Sequence, residues 1–80
     1  MSITAEQCRA GRALIGWSRE RLAAASLVGL RTLVDFERGA RHPHARTLID
    51  IRRSLEEAGV IFLDEGEDEG AGVRLKKNRD

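Results

Sequence analysis

The sequence predicts a mainly α fold, a compact domain of four or five short helices that ends in a β-hairpin. Two patterns are the basis of this prediction: apolar residues recur at three- and four-residue intervals up to residue 58, and a short apolar run and an alternating run follow. The 80-residue length allows one small domain, with a core just large enough to fold alone. A domain of this size often gains stability by dimerising.

The first helix is predicted over about residues 5–15. Thr4 and Gln7 match a capping box, in which each side chain bonds the backbone N–H of the other residue. Apolar or small residues follow at helical spacing, and they are Cys8, Gly11, Leu14 and Ile15. Gly16 then ends the helix, because glycine readily adopts the left-handed backbone conformation.

Two further short helices are predicted over about residues 19–25 and 29–38, separated by a tight turn. Ser18 is a suitable N-cap for the first of them, and Gly39 is a suitable C-terminal glycine for the second. The side chains expected to face the interior are Leu22 and Ala23 from one helix and Val28, Leu33 and Phe36 from the other. Many regulators use two short helices at a fixed angle to place one helix in the DNA major groove.

The last helix is predicted over about residues 45–58. Pro43, in the preceding connection, prevents the third helix from continuing, and Gly59 ends the last one. The apolar residues that recur at helical spacing between them are Leu48, Ile51, Leu55 and Ala58.

After Gly59 the pattern predicts two antiparallel strands, residues 60–63 and 73–76, joined by a loop. An isolated hairpin is barely stable in water, so this one either packs against the last helix or joins a second copy through an exposed strand edge. We favour dimerisation. The resulting division of the chain is a helical domain at 1–59, a hairpin and dimerisation element at 60–76, and a disordered tail at 77–80.

The net charge of +1 conceals an uneven distribution. Residues 1–63 carry a balance of +3, residues 64–69 contribute −5, and the last eleven residues return +3. Six arginines lie between positions 31 and 53, a modest basic patch that suits phosphate groups but is also typical of an ordinary solvated surface. The acidic segment lacks the ligand spacing and following helix of a calcium loop, so we interpret it as a solvated connector.

No arrangement of residues predicts catalysis, so we expect no enzyme, no catalytic residue, no metal and no other cofactor. Cys8 lies on an apolar stripe, which favours a small buried side chain over a nucleophile. His42 and His44 flank a proline and have no third ligand nearby for zinc. A single cysteine excludes an internal disulfide, and no run approaches the roughly 20 apolar residues of a membrane span. We therefore expect a cytoplasmic protein without membrane contact.

Four short blocks resemble the Xre/Cro-type, lambda-repressor-like helix-turn-helix family in residue type and in spacing. They are LIGWS at 14–18, ERLA at 20–23, TL at 32–33 and FERG at 36–39. The resemblance extends over residues 4–59, and the strands are similar, more weakly, to those of small single-domain members with a C-terminal β-hairpin. It implies five packed helices when a short one is counted, with the third in the major groove of double-stranded DNA.

The resemblance also implies three sets of site residues. A structural ion pair joins an arginine late in the first helix to a glutamate late in the third, here Arg12 and Glu37. The residues that would contact bases are Gly29, Leu30, Arg31, Thr32 and Asp35. The residues that would contact phosphates are Ser18, Arg19, Arg38, Arg41, His42 and Arg46.

Arg31 is the best candidate for direct base readout. A guanidinium can donate two hydrogen bonds to guanine O6 and N7, worth about 1–3 kcal/mol of discrimination, although an arginine on a phosphate or in solvent is the alternative. Leu30 could contact a thymine methyl group, and Thr32 a phosphate or a methyl group. Asp35 could accept a hydrogen bond from cytosine N4 or orient Arg31, four residues earlier on the same face. We favour orientation, because phosphates repel a carboxylate.

Three departures from the family pattern bear on these assignments. Leu27 stands where the turn usually has glycine, which predicts an adjusted turn, and Gly29 replaces the usual serine or threonine N-cap. Leu30 and Val34 are apolar where polar residues are common. The third helix could therefore read DNA largely through methyl contacts, or bind a protein partner.

The leading hypothesis is a sequence-specific DNA-binding transcriptional regulator, a dimeric repressor of a pseudo-palindromic operator whose half-sites lie about 34 Å apart. The alternative is a protein-binding antitoxin or antiactivator module of the same fold, whose Leu30 and Val34 surface binds a regulatory protein partner. An enzyme is disfavoured by the small size of the chain. Salt-sensitive, sequence-selective DNA binding separates the first two hypotheses.

Overall fold

Four α-helices precede one antiparallel β-hairpin in the computed structural model, which describes residues 2–78. The elements are α1 Ala5–Ile15, α2 Arg19–Ser26, α3 Leu30–Glu37, α4 Ala45–Glu57, β1 Val60–Leu63 and β2 Gly72–Leu75. The predicted fold class, mainly α with a C-terminal hairpin, is therefore confirmed. Residues 79–80 of the predicted tail lie outside the described residues.

Local backbone and capping interactions determine where α1 begins and ends and where α2 begins. Thr4 Oγ1 accepts a hydrogen bond from the Gln7 amide at 3.0 Å, and Gln7 Oε1 accepts one from the Thr4 amide at 2.9 Å. These two bonds form the predicted capping box. Ser18 Oγ likewise accepts from the Arg21 amide at 3.0 Å, at the start of α2. Gly16 adopts a φ of 68°, which glycine tolerates without steric cost, and ends α1.

The hydrophobic core lies between the helices and the inner face of the hairpin. Its largest fully buried side chains are Leu22, Leu33, Ile51, Leu55, Val60 and Cys8. Gly11 is buried in α1, and a Cβ at that position would lie 3.5 Å from side-chain atoms of Leu55 and of Val60. These are ordinary van der Waals distances, so α1 packs directly on α4 and β1 here, and an alanine would also fit.

The hairpin is attached to the helices by packing and by one amide side chain. Val60 lies opposite Leu75, and Leu63 lies opposite Gly72. Gln7 Nε2 donates hydrogen bonds to the carbonyl oxygens of Leu63 and Gly72, at 3.1 and 3.0 Å. The hairpin thus packs against both α1 and α4. Through these bonds, Gln7 joins the capping box of α1 to the loop end of the hairpin, where β1 ends and β2 begins.

Several details differ from the sequence-based expectations. β2 begins at Gly72 rather than Val73, because Gly72 pairs with Leu63 in the antiparallel register. Leu14, expected on the inner stripe of α1, is 41% exposed and lies at the edge of a buried face that includes Gly11. The fifth helix implied by the resemblance is absent from residues 2–78. The segment between α3 and α4 contains Gly39 with a φ of 77° and a proline, and neither favours a helix.

Candidate nucleic-acid interface

A buried ion pair holds α3 against α1. Arg12 donates to both carboxylate oxygens of Glu37, from Nε to Oε2 and from Nη2 to Oε1, each at 2.7 Å. Its Nη1 donates to the carbonyl oxygen of Trp17 at 3.0 Å, and Arg9 donates to the backbone carbonyl of Glu37. The Glu37 side chain is only 3% exposed, so its charge requires the Arg12 guanidinium as a partner. The pair sets the position of α3 relative to the rest of the domain.

Cys8 adds a third side chain to this network. Its Sγ donates a hydrogen bond to Glu37 Oε2 at 3.1 Å, and its side chain is fully buried. Burial and, to a smaller extent, the bond to Glu37 raise the pKa of the Cys8 thiol above its ordinary value. Hydrogen bonding to Glu37 raises the pKa of Arg12. A protonated, buried thiol is a poor nucleophile, so the role of Cys8 is structural.

The turn between α2 and α3 contains a non-glycine residue in the left-handed region. Leu27 has a φ of 59° and a ψ of 34°, and its backbone N–H donates to the carbonyl of Ala23. The turn is therefore not adjusted for the side chain, and Leu27 adopts the conformation that glycine normally supplies. Its side chain is 92% exposed and contributes almost nothing to the core. Gly29 follows as the N-cap of α3, without a side-chain hydrogen bond.

The outer side of α3 carries charged side chains in mutual contact. The inner side of the helix is formed by Leu33, Phe36 and Glu37, which are buried. Asp35 Oδ2 lies 3.3 Å from Arg31 Nε, and Asp35 Oδ1 lies 3.6 Å from Arg38 Nε. The Arg31 and Arg38 side chains are 82% and 63% exposed, whereas the Asp35 side chain is 17% exposed. The two guanidinium groups therefore flank one largely covered carboxylate.

The loop after α3 adds a third arginine. Arg41 Nη1 donates to Thr32 Oγ1 at 3.3 Å, so the loop lies beside the helix. The same helix carries two apolar side chains that are not fully buried, since Leu30 is 41% exposed and Val34 is half-buried. We call the exposed part of this region the α3 surface, and define it as Leu30, Arg31, Thr32, Asp35, Arg38 and Arg41.

The remaining predicted site residues lie on other elements. Ser18 and Arg19 are exposed at the start of α2, and His42 is exposed in the loop before α4. Arg46 lies in the first turn of α4, 76% exposed, with its Nε 3.4 Å from Asp50 Oδ1. Within residues 2–78, no hydrogen bond or ion pair joins these four predicted phosphate contacts to the α3 surface.

Two contacts in the α3 surface were not predicted from the sequence. The pair formed by Asp35 and Arg38 has a signal in the sequence, the three-residue spacing that places both side chains on one helix face. The bond from Arg41 to Thr32 joins a loop to a helix and has no such signal. A contact of Arg21 with the Trp17 ring, 4.8 Å from the ring centroid, was also not predicted.

The α3 surface combines hydrogen-bond donors with positive charge. Each guanidinium presents several N–H donors, which suits phosphate oxygens and guanine acceptors. Over the described part of the chain, no cluster of three or more histidine, cysteine, aspartate or glutamate side chains is placed to hold a metal ion. None of the helices in residues 2–78 is both long and apolar enough to cross a bilayer.

Comparison with known proteins agrees with this geometry. The profile of the helix-turn-helix family matches residues 9–57, which is more than half of the 80-residue chain. The matched segment contains the whole of α2, α3 and α4, together with the ion pair that holds α3 in place. No curated protein sequence matches the chain significantly.

Proposed function

Because the chain belongs to the Xre/Cro-type helix-turn-helix family of DNA-binding proteins, we propose that it is a transcriptional regulator, a dimeric repressor of a pseudo-palindromic operator. The observation that carries the proposal is the α3 surface, where three exposed arginines flank a short helix whose inner side is fixed to α1. Members of this family are typically non-catalytic, so the proposal includes no enzyme activity. The protein would act in the cytoplasm, together with DNA.

The proposed base contacts are the residues at the start and on the outer side of α3. They are Gly29, Leu30, Arg31 and Thr32, with Asp35 beside Arg31 on the same face. Arg31 supports this assignment best, because its exposed guanidinium can donate two hydrogen bonds to one guanine. Leu30, 41% exposed, would contact a thymine methyl group. The hydroxyl of Thr32 still has a proton to donate while it accepts from Arg41.

The proposed phosphate contacts lie on three segments of the chain. They are Ser18 and Arg19 at the start of α2, Arg38, Arg41 and His42 after α3, and Arg46 on α4. All six residues are exposed, and four of them are arginines. Contacts of this kind fix the orientation of a protein on the duplex and strengthen binding to all sequences alike.

The hairpin, residues 60–76, is the proposed dimerisation element. It is a two-stranded sheet, so each strand has one edge without a strand partner within the described residues. Ile61 and Leu63 alternate with the buried residues of β1 and remain partly exposed. A second copy could pair with a free strand edge through backbone hydrogen bonds, and packing of the outer faces would cover these side chains.

The alternative function, a protein-binding antitoxin or antiactivator module, is favoured by one observation. Leu27 is 92% exposed and Leu30 is 41% exposed, on either side of the α2–α3 turn. A partner protein that covers both side chains would bury apolar surface that is otherwise exposed to water. A partner protein would then bind at the same helix that we propose for DNA.

Selection of binding sites from random duplex DNA, at two salt concentrations, tests the proposal. We expect a symmetric consensus, and an affinity that falls steeply as salt is raised. Sedimentation of the protein with the selected duplex should give two chains per site. A folded sample that binds no duplex, even at low salt, overturns the proposal and leaves the protein-binding module.

Two arginine variants test the assignment of contacts. Arg31→Ala should relax base preference at one position of the consensus, because it removes a bidentate contact. Arg19→Ala should weaken binding to all sequences by a similar factor. If both variants keep the affinity and selectivity of the wild type, the assignment of contact residues is wrong.

A further inference from the structure

The carboxylate of Asp35 contacts two of the arginines on the α3 surface. Its Oδ2 lies 3.3 Å from Arg31 Nε and its Oδ1 lies 3.6 Å from Arg38 Nε. Arg31 is proposed to contact a base and Arg38 a phosphate. One carboxylate thus lies at ion-pair distance from two arginines with different proposed roles, without a hydrogen bond to Oδ1 within residues 2–78.

Folding stability gives no clear reason for this carboxylate. Asp35 Oδ1 is buried, and within residues 2–78 it accepts no hydrogen bond. A buried carboxylate oxygen without a donor is unfavourable. The two ion pairs involve arginines that are 82% and 63% exposed, and such pairs contribute little to stability. The charge is also unfavourable for affinity, because it lies beside the proposed path of the phosphates.

We propose that Asp35 is a positioning residue that determines base selectivity through Arg31. An exposed arginine is otherwise free to bind whichever phosphate or base is nearest. Because Asp35 lies beside its Nε, Arg31 has its terminal N–H groups available for the edge of one base. The same carboxylate attracts Arg38 and so keeps it away from that base. Asp35 therefore increases selectivity and lowers total affinity. Its Oδ1 is buried and its Oδ2 lies beside Arg31, which favours this role over acceptance of a hydrogen bond from cytosine N4.

The first test concerns the arginines themselves and requires no DNA. Backbone and side-chain ¹⁵N relaxation should show the Nε–H groups of Arg31 and Arg38 restricted in the wild type and mobile in Asp35→Asn. Asp50→Asn is the matched control, because it removes the same charge and a similar ion pair, with Arg46, from α4. Equal mobility of Arg31 and Arg38 in the wild type and in Asp35→Asn would overturn the proposal.

The second test measures selectivity and rests on the proposed function. With the selected duplex, Asp35→Asn should lower the preference for guanine over adenine at the Arg31 position by about fivefold or more. Its affinity for random duplex should rise. Asp50→Asn should raise the affinity for both duplexes by the same factor and leave their ratio unchanged. Equal weakening on both duplexes, or lost preference only at a cytosine, contradicts the role assigned to Asp35.

The two tests separate failure of this inference from failure of the proposed function. Restricted arginines in a protein that binds no duplex would refute the DNA-binding proposal, and with it the selectivity role of Asp35. If the protein binds a consensus DNA sequence but Arg31 and Arg38 are mobile in the wild type, the role of Asp35 is refuted and the DNA-binding proposal stands.

Discussion

Replacing Arg12 by methionine tests how strongly the buried ion pair with Glu37 stabilises the packing of α3 on α1. The substitution keeps an unbranched side chain of similar length and removes three hydrogen bonds, two to Glu37 and one to the Trp17 carbonyl. Among residues 2–78, the Glu37 carboxylate, 3% exposed, then keeps only the thiol of Cys8 as a side-chain donor. A buried charge left without its partner costs about 3–5 kcal/mol. Small domains are typically stable by about 5–15 kcal/mol, so the loss should be a large fraction of the total.

Urea unfolding of single and double variants measures this effect. Arg12→Met should lower the free energy of unfolding by about 3–5 kcal/mol, and adding Glu37→Met should restore most of it, because no uncompensated charge remains. Arg46→Met is the matched control, since it breaks an ion pair of an arginine that is 76% exposed, and it should cost less than about 1 kcal/mol. A cost for Arg12→Met as small as that of Arg46→Met would refute the reasoning.

Three further predictions concern the capping box, the turn and the thiol. Gln7→Glu keeps a residue that can cap the helix, but it replaces the N–H donor to two carbonyl oxygens by a carboxylate. The free energy of unfolding in urea should therefore fall by about 2–3 kcal/mol. A variant as stable as the wild type would contradict the link from Gln7 to the hairpin. Leu27→Gly should stabilise by up to about 1 kcal/mol, because it relieves the left-handed strain at the expense of some backbone entropy, whereas Leu27→Ala keeps the strain and should not stabilise. The Cys8 thiol stays protonated in the folded protein above pH 9.0, its ordinary pKa, while the unfolded chain loses the proton. The free energy of unfolding should therefore not depend on this thiol below pH 9.0. Above that pH it should fall by about 1.4 kcal/mol per pH unit relative to the free energy of unfolding of Cys8→Ser. If the two proteins lose stability in parallel as the pH rises, this linkage is excluded.

The helical part of the fold could be predicted because its signals are local. Thr4, Gln7 and Ser18 mark helix starts through bonds to amides three residues away, and Gly16 marks a helix end through its own backbone conformation. The predicted starts of α1, α2 and α4 agree with the structure, and α3 is one residue shorter at each end. Periodicity was less reliable at the edge of a buried face, as the exposure of Leu14 shows.

Contacts between distant segments could not be predicted from local signals. The sequence indicated that the side-chain oxygen of Gln7 accepts from the Thr4 amide, but the nitrogen of the same carboxamide donates to carbonyls 56 and 65 residues away. The register that starts β2 at Gly72 depends on its pairing with Leu63, which alternation alone does not reveal. The ion pair of Arg12 with Glu37 was predicted only from the family resemblance, because no local pattern relates residues 25 positions apart.

In the candidate site, too, contacts with a local signal were predicted and other features were not. The spacing of Arg31 and Asp35 indicated their contact, since residues four apart share a helix face. The left-handed conformation of Leu27 was not predicted, because leucine normally avoids it and its side chain has no packing that would indicate it.

Chemical-shift mapping of the ¹⁵N-labelled protein during titration with the selected duplex tests the central claim most directly. The account predicts the largest changes at the amides of α3 and at the N–H groups of Arg31, Arg38 and Arg41, with smaller changes at the start of α2. Changes confined to the hairpin, or none at α3 while the duplex binds, would contradict it.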